Sequence, residues 1–323
     1  MRLKLRTLNV AIGVFCVGFS ALASGAETDY PSRPIRLIVP YAPGGSTDQV
    51  ARQYAELLRR ELKQTVLIEN KPGASTNIGN KMVADAEADG YTLLYATGQV
   101  VQSFVFGPFP AIDPKAALEP VSLILTSPQM IAAGKDQKIS SPEELIAAAK
   151  ANPKGVSIAT AGLQLYVSVL QSGAGIELLH VPYKGGAPAV TDTIGGRTSL
   201  VMGQPPVLMP FFKKGLLKPV AMLSKEPFAG LPDVRTFAQA GVSNVNLVTW
   251  NAVFAPKGTP ASVIKRLSQA TQVALADPAL QKLSSEGLMV QASTPAQLAE
   301  RVDSELELWK GQAKRSPELM QSR

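Results

Sequence analysis

Ile35–Arg52 reads IRLIVPYAPGGSTDQVAR. Ile35–Val39 is an apolar run of strand length, and Pro40–Gly45 is a Pro/Gly turn. Ser46, Thr47 or Asp48 then opens a helix whose Val50, Ala51, Tyr54, Ala55, Leu58 and Leu62 share one face. A glycine-rich turn running into a helix leaves backbone N–H groups without partners at the positive end of the helix dipole. Such a terminus is suited to holding an anion.

Working outward, Thr65–Ile68 and Thr92–Ala96 read as strands, with a helix between them from Asn77 to about Ala86. A βαβαβ order of this kind predicts a parallel sheet with helices on both faces. Strand-like runs return at Val156–Thr160, Leu178–Val181 and Leu200–Met202. Ser141-Pro142-Glu143-Glu144 carries a capping box, and Thr259-Pro260 and Thr294-Pro295 repeat a cap followed by proline. Asp277-Pro278 breaks the last helical region, which runs from Pro260 to about Lys310.

Two apolar pieces are candidates for crossing between domains: Val121–Ala133, interrupted at Ser127-Pro128, and Val245–Phe254. The expected architecture is therefore α/β, with two α/β domains joined by two crossover segments. Residues 27–126 and 244–323 form a first domain containing both chain ends, and 127–243 form an inserted second one. Ligand is expected between the two, at the carboxyl ends of strands. The chain shows no internal repeat and no low-complexity tract.

Residues 1–26 read as a cleaved secretory signal. Arg2, Lys4 and Arg6 precede the apolar run Leu8–Ala23, and Ala21-Leu22-Ala23 and Ser24-Gly25-Ala26 are small-x-small cleavage patterns. Cleavage would leave 297 of the 323 residues and, by removing three basic residues and no acidic ones, lower the formal charge from +7 to +4. Lys and Arg are spread along the chain without a basic stripe, which argues against nucleic acid as a partner and fits small acidic ligands. The only cysteine, Cys16, lies in the signal, so the rest of the chain has neither a thiol nucleophile nor a cysteine metal ligand. Export without disulfides fits a bacterial periplasm.

The single histidine, His180, sits in a strand-like run where a structural role is the ordinary one. There is no G-x-S-x-G elbow, no H-E-x-x-H, no P-loop and no complete G-x-G-x-x-G, so neither a cofactor nor a metal is expected. Several small-residue turns follow strand-like runs instead. They are Pro43-Gly44-Gly45-Ser46-Thr47-Asp48, then Gly73-Ala74-Ser75-Thr76-Asn77, Thr97-Gly98, Thr160-Ala161-Gly162 and Tyr183-Lys184-Gly185-Gly186. Each alone reads as a βα turn with a cap. Together they read as ligand-binding loops gathered at sheet edges, holding a carboxylate without arginine. Tyr41 and Trp250 read either as apolar walls of that site or as core packing.

Six pieces occur in an order that resembles the Bug-type extracytoplasmic solute receptors, the binding components of tripartite tricarboxylate transporters. They are Tyr30-Pro31 with Pro34–Pro40, Pro43–Asp48 with Arg52, Glu69–Ala74, Asp89–Leu94, His180–Gly185 and Ala255–Pro260. The resemblance implies a type II periplasmic binding-protein fold and no catalysis. It also implies a small carboxylate ligand, aromatic or dicarboxylic, and membrane permease subunits as partners. A monomer is expected. In this family the loops corresponding to Pro43–Asp48 and Pro72–Asn77 hold one end of the ligand, and Thr160-Ala161-Gly162 the other.

The third loop departs from the family pattern. Gly162 is followed by Leu163-Gln164-Leu165-Tyr166, the segment before His180 is shorter by about one helical turn, and Gly195–Ser199 lacks the usual acid. The distal half of the pocket is therefore expected to be more apolar and to favour an aromatic or long-chain carboxylate over citrate. The alternatives are an exported hydrolase using Ser46 or Ser75 with His180, and a receptor that signals to a membrane sensor.

Overall fold

The computed structural model describes residues 30–107, 110–285 and 287–317. The predicted signal, residues 1–26, lies outside them. Strand β1 (Ile35–Val39) leads through the Pro/Gly turn to helix α1 (Ser46–Leu62), strand β2 (Val66–Asn70), a 3-10 turn (Ala74–Thr76), helix α2 (Asn77–Ala84) and strand β3 (Thr92–Thr97). β1 pairs in parallel with both β2 and β3, the βαβαβ unit expected from the apolar spacing. Helices α3 (Gln99–Phe106) and α4 (Pro114–Ala117) and the long strand β4 (Leu118–Pro128) follow.

Strand β5 (Met130–Gly134) begins a second sheet. It continues with α5 (Pro142–Ala151), β6 (Ser157–Ala161), α6 (Gln164–Ala174), β7 (Leu179–Tyr183), α7 (Gly186–Ile194), β8 (Leu200–Gly203), α8 (Pro205–Lys213) and β9 (Leu217–Met222). Strand β10 (Val248–Pro256) returns to the first sheet, followed by α9 (Ala261–Leu275), α10 (Pro278–Ser285), β11 (Met289–Val290) and α11 (Pro295–Arg315). The strand orders are β11-β4-β10-β3-β1-β2 and β7-β6-β8-β5-β9.

Both sheets are mixed, whereas the repeated strand–helix alternation predicts parallel ones. β10 runs antiparallel to β3 and β4, and β5 runs antiparallel to β8 and β9. β5 follows β4 with no crossover helix, and only a parallel partner would need one. The two connections between the sheets meet at Gln129. Its N–H donates to the Leu247 carbonyl at 2.9 Å, and its own carbonyl accepts from Leu223 N–H at 2.9 Å.

The capping signals resolve individually. Thr294 and Gln297 make the full reciprocal box at α11. Ser141 caps Glu144 N–H, but the Glu144 carboxylate goes to the N–H and hydroxyl of Ser140, so the second half of that box is displaced by one residue. Thr259 does not cap α9: its hydroxyl donates back to the Pro256 carbonyl, and the helix starts at Ala261.

The core is continuous from one sheet to the other. Trp250, Trp309, Tyr166 and Phe254 bridge it, with the Tyr166 ring edge-on to Trp309 at 5.4 Å. No helix among the described residues is long and apolar enough to cross a membrane.

Candidate functional site

The carboxyl ends of β1, β2 and β3 deliver three loops to one edge of the first sheet, because parallel neighbours end on the same side. Asp48 organises the first of them. Its side chain is 2 % exposed and accepts three hydrogen bonds: from Arg52 Nε at 2.9 Å, Gly44 N–H at 2.9 Å and Asn70 Nδ2 at 2.8 Å. Arg52, ahead of the other donors and against the opposing effect of burial, holds the carboxyl down at about 2. Arg52 also reaches Asn70 Oδ1 at 3.0 Å. Asp48 is thus the anchor of the loop, and its oxygens already have partners.

What this loop presents is backbone. Gly45 is the N-cap of α1 and the helix has no side-chain cap. Pro43, Gly44, Gly45 and Ser46 are exposed and Thr47 is half-buried. The first N–H groups of the helix have no carbonyl within the helix to bond. A Cβ placed on Gly45 would meet nothing nearer than 3.9 Å, so the terminus is open.

The second loop is strained. Gly73, Ala74, Ser75 and Thr76 have φ of 123°, 46°, 53° and 79° in succession, three of them side-chain-bearing residues in left-handed conformation. Such conformations cost about 1–2 kcal/mol per residue and cluster at functional sites. The Ser103 hydroxyl holds the Ser75 carbonyl, and Asn80 Nδ2 donates to Thr76 Oγ1 at 3.0 Å. Asn77, at the start of α2, is 7 % exposed, and both atoms of its carboxamide lack a hydrogen-bond partner. Each such unmet group costs about 1–3 kcal/mol.

At the third loop Thr97 and Tyr41 share a hydroxyl–hydroxyl hydrogen bond, and Asn70 donates to the Tyr41 carbonyl at 3.0 Å. Burial pushes the Tyr41 hydroxyl up to about 12. Tyr41 therefore ties loops one and three together. Trp250 is a core residue and not a wall of the site. It is fully buried behind Gly98, and its indole N–H donates to Glu305 at 2.8 Å. The other oxygen of the same carboxylate takes the Trp309 indole N–H at 2.9 Å.

In the second sheet, β6 and β8 are parallel, and a cavity of about 250 Å³ lies at their carboxyl ends. Ala161 ending β6 and Leu163 after it, Gly186 opening α7, and Gly203 ending β8 and Gln204 after it contribute to it, with Val190, Val201, Met202, Val207 and Leu208 as its apolar walls. None of its lining residues carries a charge. Gln129, fully buried between the two sheets, also lines this cavity, and neither atom of its carboxamide has a partner. Gln204 Nε2 donates across to Thr249 Oγ1 at 2.8 Å.

Two expected contacts point elsewhere. The Thr160 hydroxyl is buried against His180 Nε2 at 2.8 Å, and the Tyr183 hydroxyl donates to Asp192 at 2.7 Å. Gly162, with φ of 70°, makes the turn into α6, and Gly185 is the uncapped N-cap of α7. Tyr166, in the segment that departs from the family pattern, accepts from Gln102 Nε2 at 3.2 Å and so joins α6 to α3. A wider depression of about 520 Å³, between α5 and α6, contains none of the βα loops named above. Among the described residues no His, Cys, Asp and Glu side chains cluster as a metal site would require.

Sequence reasoning missed Gln129, Gln204 and the apolar wall of α8. Gln129 gives no local signal, because a lone glutamine between two strand-like runs has no motif. Pro205-Pro206 after Gln204 marks a helix start that was readable.

A two-sheet α/β chain with βα loops gathered at the carboxyl edges of both sheets has the architecture of the periplasmic solute-binding proteins. Residues 50–315 match the family model described as "Tripartite tricarboxylate transporter family receptor", and the chain belongs to this family. It is a family of solute receptors and not of enzymes. The chain is 32 % identical to the protein BugT of Bordetella pertussis, over 96 % of this chain and 97 % of that one. Among solved structures it is similar to the periplasmic binding protein BugD, with 33 % identity, a TM-score of 0.70 and coverage of 89 % and 99 %. An R. palustris protein solved with adipate gives 29 % identity, a TM-score of 0.72 and coverage of 88 % and 98 %. MatC of Rhodopseudomonas palustris, solved with malate, gives 27 %, 0.70, and 88 % and 99 %.

Proposed function

We propose that this receptor captures a small carboxylate between its two α/β domains, residues 27–126 with 244–323 and residues 127–243, and presents it to the permease of a tripartite tricarboxylate transporter. Residues 1–26 direct export to the periplasm and are removed. The observation that carries this reading is the uncapped, exposed N-terminus of α1, held open by an Asp48 whose own oxygens are fully engaged. One ligand carboxylate sits against the N–H groups of Ser46 and Thr47, with the Gly73–Asn77 loop beside it. The unmet Asn77 carboxamide is satisfied on binding. The adipate and malate held by similar proteins support this ligand class.

Closure of the two domains turns binding into a signal for the permease, and ligand shifts that equilibrium only by its differential affinity for the two states. A hydrolase built on Ser46 or Ser75 finds no support, since His180 is engaged with Thr160 on the second sheet.

The test is isothermal titration of the protein with hexanoate, adipate, malate and citrate, alongside Gly45→Val. The added side chain enters open space, so the variant keeps its melting temperature while losing about tenfold or more in affinity. Equal affinity in the variant, or no binding by any of the four acids at millimolar concentration, rejects the reading.

A further inference from the structure

The apolar cavity at the carboxyl ends of β6 and β8 contains one polar feature out of keeping with the rest. Gln129 is completely buried, and yet its side-chain oxygen and nitrogen both lack hydrogen-bond partners, while its backbone N–H and carbonyl are fully used in the crossing. Buried carboxamides are ordinarily satisfied, so an orphan at a cavity wall offers a bonding position to a water or to a ligand group. A carboxamide both donates and accepts, and only a group that does the same satisfies both of its ends.

The charge of the cavity narrows the choice further. Its walls are Leu163, Val190, Val201, Met202, Val207 and Leu208, and none of the residues lining it is basic. A second carboxylate seated there would meet no basic side chain, only the uncapped N-termini of α6, α7 and α8. It could accept from Gln129 Nε2 but would leave Gln129 Oε1 without a donor. A carboxamide or hydroxyl serves both ends.

We propose that Gln129 is the specificity-determining contact of the distal subsite, and that it selects ligands with an uncharged donor–acceptor group, a carboxamide or a hydroxyl, at the end of an apolar body. This rests on the carboxylate reading of the first jaw. The ligand is then a monocarboxylate with a neutral polar tail, in contrast to a di- or tricarboxylate. Since Gln129 also joins the two connections between the sheets, the tail is read where the domains pivot.

The experiment is titration of the wild-type protein with four six-carbon probes: hexanoate, 6-hydroxyhexanoate, adipamate (the monoamide of adipic acid) and adipate. Adipamate is expected to bind about tenfold tighter than hexanoate and than adipate, the factor carried by about one neutral hydrogen bond. Gln129→Met, of similar volume, is expected to abolish the tenfold preference for adipamate over hexanoate. Its ligand-free melting temperature should not fall, because no hydrogen bond is lost; a purely structural glutamine would give the opposite result. Adipate binding tighter than adipamate in the wild type, which needs no variant, overturns the proposal and leaves the carboxylate reading intact. Retention of the adipamate preference in Gln129→Met does the same. Failure of all four probes overturns both.

Discussion

The Asp48 carboxylate and the Asn70 carboxamide meet at 2.8 Å, 22 residues apart in the chain. The contact fixes the first turn of α1 to the end of β2, so the loops that follow β1 and β2 share one rigid support. On the proposed reading a ligand at either loop would meet a surface already ordered, and less conformational entropy would be lost on binding.

Replacing Asp48 by alanine should lower stability by about 2 kcal/mol, because Gly44, Arg52 and Asn70 lose their common acceptor. The acid limb should also change. The folded carboxyl titrates at about 2, below its ordinary value near 4, so its contribution is present above about pH 4 and is lost as pH falls toward 2. Urea titrations across that window should show a shallower decline in Asp48→Asn than in the wild type.

Ser75→Gly should raise stability by about 0.5–1 kcal/mol. The exposed serine sits at φ 53° and ψ 45°, where glycine has no steric penalty, although part of that relief is offset by the greater freedom of glycine in the unfolded chain. The Ser103 contact is to the Ser75 backbone and survives the change. A valine at the same position should destabilise by more than 1 kcal/mol. Thermal denaturation of both variants distinguishes a strained loop from a relaxed one.

Trp250→Phe should cost about 1–3 kcal/mol through the loss of one indole donor to the buried Glu305 carboxylate. Ligand affinity in the folded variant should stay within about twofold of wild type, since the ring lies behind Gly98 in the core. Chemical denaturation and titration on the same preparation separate the two effects.

His180 is the only histidine of the chain, so its ring resonances are unambiguous by NMR. Partial burial lowers its pKa below 6.5. A base whose folded pKa is depressed contributes stability above its unfolded value, and that stability is lost as pH falls through the folded one. Stability should therefore decline below about pH 6.5, and His180→Gln should reduce that decline. Ligand affinity at pH 7.5 should not depend on the residue, because its Nε2 faces Thr160.

The segment from β1 to α1 was legible because its information is local. Strand, turn and amphipathic helix from Ile35 to Leu62 follow from residue order, and α1 starts at Ser46, one of three openings the sequence offers, with Gly45 and no side chain at its cap. The mixed character of the sheets was not legible, because it depends on how β4, β5 and β10 pass between them. The roles of Thr160 and Trp250 were hidden for a related reason. A hydroxyl or an indole in a strand can point to either face of the sheet, and only the tertiary neighbours, His180 and Glu305, show which group it bonds. Gln129 lay beyond sequence reasoning altogether, since its distinction is the absence of partners in a folded interior.

The three backbone bonds joining Gln129, Leu223 and Leu247 have a further consequence. Main-chain donors and acceptors are the same for every residue but proline, so the joint between the sheets is indifferent to the side chain at 129. Under the role proposed for Gln129, substitution there would change which solute is taken while these three bonds stay in place. A lineage of such receptors would then have a route to new solutes through a single substitution.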